Sequence, residues 1–67
     1  MTNEQRAAQR EIAALEIAQL RANAPDARRI LSDERCILMA AVQRKNGDEL
    51  RAATERAARV RAAWSRY

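Results

Sequence analysis

Few side chains in this sequence could do covalent or proton chemistry. Cys36 is the only cysteine and there is no histidine, so no side chain titrates ordinarily near neutral pH to serve as a general base. Cys36 lies in the stretch RCILM with no activating neighbour. A small buried thiol beside Ile37 and Leu38 is the expected reading, ahead of a redox sensor. The carboxylates include two adjacent pairs, Asp33-Glu34 and Asp48-Glu49. Adjacent residues on a helix point apart, and acids at a helix start are explained by the helix dipole. Gly47 is the only glycine, which leaves no glycine-rich phosphate loop. One thiolate without imidazole cannot close a zinc site. The expectation is therefore no catalytic residue, no cofactor-binding residue and no metal ligand, in a protein that is not an enzyme.

The abundant functional group is guanidinium. Of 13 basic residues against 9 acidic ones, only Lys45 is a lysine, and the net charge is +4. Such a balance attracts polyanions and acidic protein surfaces alike. The arginines have three readings. As phosphate contacts, Arg51, Arg56, Arg59, Arg61 and Arg66 would serve a small nucleic-acid-binding regulator. As a solvated outer face, they would pair with interleaved acids such as Glu11, Glu16 and Glu55. As a rim around an apolar patch, Arg56, Arg59 and Arg61 would surround Val60 and Trp64 for recognition of a protein. Trp64 and Tyr67 are the only aromatic residues. Trp64 is expected in the core if the end of the chain packs, and the two form an exposed anchor if it frays.

These groups must be carried by helices. The 67 residues suffice for one domain, 1–67, with a thin core. Hydrophobic content of 48%, mostly alanine, with 33% charged residues points to helix rather than disorder. Thr2 to Gln5 matches a capping box. The helix that follows carries two apolar seams: Ala8, Ile12 and Leu15 on one, Ala13, Ile17 and Leu20 on the other. Two seams suit a helix touching both its own chain and a second one. Asn23-Ala24-Pro25-Asp26 breaks the pattern. A second helical segment, from about Asp26 to Lys45, places Leu31, Glu34, Ile37, Leu38 and Val42 on one broad side, with a potential internal restart at Ser32-Asp33-Glu34. At Asn46-Gly47-Asp48, Gly47 suits a helix C′ position and Asp48 the next N-cap. The last segment runs Leu50, Ala53, Ala57, Val60, Trp64, Tyr67 at three- and four-residue steps.

The spacing predicts an all-α antiparallel bundle of three helical segments, completed by homodimerisation. A two-helix hairpin running through Gly47 is the rival topology. The dimer or core seam is expected at Ile12, Leu15, Ile17, Leu20, Ile37, Leu38, Val42, Leu50 and Val60. No apolar run is long enough for a bilayer, the polar N-terminus resembles neither signal nor transit peptide, and the unpaired cysteine fits a reducing, cytoplasmic setting.

The amphipathic start MTNEQRAAQREIAALE, the short turn NAPD, the further Ala/Arg helix and the short length together resemble small bacteriophage-encoded host-takeover proteins, above all the quorum-sensing anti-activator group. The resemblance spans most of the chain and transfers no functional residue. It implies a helical, dimeric inhibitor acting in the host cytoplasm by direct contact with a bacterial protein. Targets in that group are the DNA-binding region of a transcriptional regulator and, for some members, a pilus assembly ATPase. Against a basic DNA-binding surface the acids Glu4, Glu11, Asp33, Glu34, Asp48 and Glu49 would make contact, Asp33 and Glu34 foremost, with Arg56, Arg59, Arg61, Trp64 and Tyr67 as the further candidate contacts. The alternative is the arginine-rich nucleic-acid binder, and a purely structural bundle is a third reading.

Overall fold

Thr2 starts the first helix: its hydroxyl accepts from the Gln5 amide at 3.2 Å, while its own amide donates to the Gln5 side chain at 3.0 Å. This is the reciprocal capping box that the sequence predicts. In the computed structural model, which describes residues 1–67, α1 spans Asn3–Arg21, α2 Pro25–Arg44 and α3 Gly47–Trp64. Ala22 and Ala24 are extended, and Pro25 opens α2, where its missing N–H costs nothing. The expected restart at Ser32 does not occur, and α2 is continuous through it.

The second connection differs from expectation by two residues. Lys45, not Gly47, takes the left-handed conformation, with φ 58°. Asn46, not Asp48, is the N-cap, its side chain accepting from the Glu49 amide at 3.1 Å. Gly47 is then the first residue of α3. Asparagine caps as well as aspartate does, and the earlier start places both Asp48 and Glu49 in the first turn, beside the positive end of the helix dipole. The break at Lys45-Asn46 rules out the hairpin topology.

Each helix packs against both others in a bundle of 34 × 15 × 15 Å. A helix of this length spans roughly 30 Å, so all three lie along the long axis. The short connections make successive helices antiparallel. On α2 the buried residues Ala27, Leu31, Glu34, Leu38 and Ala41 alternate in four- and three-residue steps, a heptad stripe. Ala8, Glu11 and Leu15 of α1 and Leu50 and Ala57 of α3 meet it. Leu15, Leu31 and Leu38 are the largest fully buried side chains; alanine elsewhere lets the helices approach closely. Ile12, Val42 and Trp64 are half-buried against this core, and Val60 is half-buried on α3.

Three of the expected seam residues lie outside the core. Ile17, Leu20 and Ile37 are exposed: three helices of one chain close the core with only one stripe from α1, and on α2 Ile37 falls outside the Ala27–Leu31–Glu34–Leu38–Ala41 stripe. Cys36 is likewise exposed, not buried: it lies on the side of α2 opposite Leu31, Glu34 and Leu38.

Candidate protein-interaction surface

Two carboxylates sit at core positions and govern which charges remain for function. Glu11, only 8% exposed, is bound by Arg61 through two hydrogen bonds, Nε to Oε2 at 2.5 Å and Nη2 to Oε1 at 3.2 Å. This two-pronged pair joins α1 to α3. The hydrogen bond to Glu11 raises the Arg61 guanidinium above the ordinary arginine value; burial opposes the shift and the charge of Glu11 adds to it. Glu34, 5% exposed, forms an ion pair with Arg56, Nε to Oε1 3.2 Å apart, across the α2–α3 seam. Near the connection Arg44 pairs with Glu49.

These pairs redistribute the residues that the sequence marks for partner contact. Glu34 is withdrawn from the surface, because its place in the α2 heptad stripe turns it inward. Asp33, the adjacent residue, is exposed. Arg61 and Arg56 are committed to internal carboxylates, and Arg59 is exposed and makes no ion pair. Trp64 packs against the core while Tyr67 is 57% exposed, with ring centroids 5.5 Å apart at 51°. The Tyr67 carbonyl accepts from the Asn23 and Ala24 amides at 2.8 and 3.0 Å, fastening the end of α3 to the α1–α2 connection. Two of the three rim arginines thus carry internal ion pairs, and the aromatic pair is divided between the core and the surface.

A different surface is assembled. Arg6, Arg10, Ala13, Ile17 and Leu20 follow one another on α1 at alternating four- and three-residue steps, and all are exposed, Ile17 by 51% and Leu20 by 77%. An open groove between α1 and α3, lined by Ala14, Ile17, Ala18, Arg21, Arg61 and Ser65, runs beside the apolar half of this stripe. Isolated exposed apolar side chains are ordinary; a helical row of them is the pattern of a contact face.

Comparison with protein-family models, curated proteins and solved structures finds no match to this chain.

No group of three or more histidine, cysteine, aspartate or glutamate side chains converges to hold a metal ion, and no helix is long and apolar enough to cross a membrane. The Ala13–Ile17–Leu20 seam is legible in the sequence. Glu11 is the residue that sequence reasoning missed as part of the core. Its spacing from Ala8 and Leu15, three and four residues, was the available signal. Its partner Arg61 lies 50 positions away, where no local pattern links the two.

Proposed function

We propose that this chain is a non-enzymatic binding protein that occupies a surface of another protein and blocks it. The observation that carries this reading is the row of exposed, helically spaced apolar residues on α1, Ala13, Ile17 and Leu20. Leaving such a row in water forgoes hydrophobic free energy that a partner would recover. The resemblance to phage-encoded inhibitors supports a bacterial host protein as the target, with a transcriptional regulator of quorum sensing as its most specific form. The burial of Glu34 leaves Asp33 as the exposed acid of that pair and favours α1 as the contact element.

A tagged chain incubated with bacterial lysate, with and without nuclease, tests the proposal, with wild type run beside Leu20→Asp. The expected result is a discrete protein band that survives nuclease and disappears with Leu20→Asp. The second reading, a nucleic-acid binder, is favoured by Arg59 on α3 and Arg66 in the turn that follows it, both exposed and without carboxylate partners. Nucleic acid recovered only without nuclease, with steep loss of binding as salt rises, would put that reading in place of the first.

A further inference from the structure

We infer that the outer face of α1 receives an amphipathic helix of another protein, with acidic residues at one end of its contact stripe and leucine-like residues at the other. This rests on the binding-protein reading and specifies its partner. The alternating steps from Arg6 through Arg10, Ala13 and Ile17 to Leu20 are the spacing by which one helix packs along another at a shallow angle. Arg6 and Arg10 form the basic half, Ile17 and Leu20 the apolar half, and Ala13 between them lets a partner backbone come close. The groove beside Ile17 offers space for one side chain of the incoming helix, with Arg21 on its edge.

Charge chooses the occupant. Arg29, Arg44, Arg51, Arg56 and Arg61 each have a carboxylate within the chain. Arg6, Arg10 and Arg21 have none, and all three are exposed on α1. Arg6 also lies in the first turn of α1, where the helix dipole disfavours a cation and a facing anion relieves it. A second copy of this chain supplies a facing anion only at the cost of the apolar half. Glu16, the exposed acid beside the stripe, meets Arg10 when Ala13 faces Ala13 in an antiparallel pair, and that register sets Leu20 against Arg6 and Ile17 against Gln9. Parallel pairing sets Arg6 against Arg6 and Arg10 against Arg10, and antiparallel pairing with Ile17 opposite Ala13 sets Arg10 against Leu20. A nucleic acid would satisfy the arginines and leave Ile17 and Leu20 in water. An acidic amphipathic helix satisfies both halves.

The test uses the full chain and two fluorescent synthetic helical peptides with the same leucine stripe, one carrying glutamates and the other lysines at the positions that face Arg6 and Arg10. Anisotropy is expected to show binding of the glutamate peptide that weakens with salt, and at least about tenfold weaker binding of the lysine peptide. Leu20→Glu should abolish binding, and Arg10→Glu should shift preference toward the lysine peptide. Circular dichroism should show both variants as helical as wild type, since both positions are exposed. Equal binding of the two peptides, or no binding of the glutamate peptide up to about 100 μM, overturns the proposal. Sedimentation showing a dimer that Leu20→Glu dissociates also overturns it and assigns the face to a second copy. A nuclease-resistant lysate band retained by Leu20→Glu would sink this site and leave the binding-protein reading standing.

Discussion

Helix α1 carries two stripes of similar period with opposite fates. The inner one, Ala8, Glu11, Leu15, is buried; the outer one, Arg6, Arg10, Ala13, Ile17, Leu20, is exposed along its length. With Ile12 packed beside it, the inner stripe is no richer in large apolar residues than the outer one, and it contains a carboxylate. It is nonetheless the one that the bundle buries, because Arg61 answers Glu11, whereas no residue of the chain answers Arg6 or Arg10. Burial is thus decided by whether each polar group along a stripe finds a partner as well as by hydrophobicity.

The sharpest way to break this contrast is to truncate one leucine on each stripe. Leu15→Ala removes a fully buried side chain and should cost about 2–5 kcal/mol in urea unfolding, a large share of the stability of so small a domain. Glu11→Ala should cost less, about 1–3 kcal/mol, because the Arg61 side chain it strands is 35% exposed and partly reaches water. The double change Glu11→Leu with Arg61→Leu should recover most of that loss, since replacing both members of such a pair leaves no stranded charge. A double change as damaging as Glu11→Ala would mean that the pair does more than satisfy itself.

The raised pKa of Arg61 gives this contribution its pH dependence. A cation whose pKa is higher in the folded state contributes fully below its unfolded value, and the contribution is lost only as pH rises through the folded one. That window lies above the ordinary arginine range, so titration of Arg61 should not change the Glu11→Ala penalty between about pH 6 and 9. Chemical denaturation at both ends of that interval checks this.

Smaller effects are expected at the second connection. Lys45→Gly relieves a left-handed non-glycine residue and should stabilise by about 1 kcal/mol. Gly47→Ala should add about 0.4–1 kcal/mol, since a methyl group there meets nothing within 4 Å and the backbone is not left-handed. Neither touches a stripe, so the doubly substituted chain is a sturdier background in which to probe the outer face. The smallest change is expected for Leu20→Ala, within about 0.5 kcal/mol in thermal or urea unfolding, while binding through α1 falls. A loss of stability matching that of Leu15→Ala would erase the distinction between the stripes.

Much of the bundle is legible in residue order, because helices are built from local signals. The Thr2–Gln5 capping box, the stop at Asn23–Pro25, the break near Gly47 and the heptad stripe of α2 all depend on groups within a few residues of one another. The cap at Asn46 was misplaced by two positions because Asn46 and Asp48 are equally good caps, and the choice between them lies in how α3 meets the rest of the bundle. The exposed position of Cys36 was readable from its phase against Leu31 and Leu38, although its apolar neighbours pointed the other way.

The sequence by itself determined the helical class and the two seams of α1, and left three helices and a two-helix hairpin as the choices, since periodicity, caps and turn residues act over one or two turns. Only the tertiary structure decided which seam turns inward, that Glu34 is buried and pairs with Arg56, and that Glu11 and Arg61 meet across the bundle. The physical reason is that a buried charge is tolerable only opposite its counter-charge. That opposition is set by how three helices are juxtaposed, over separations that no local pattern spans.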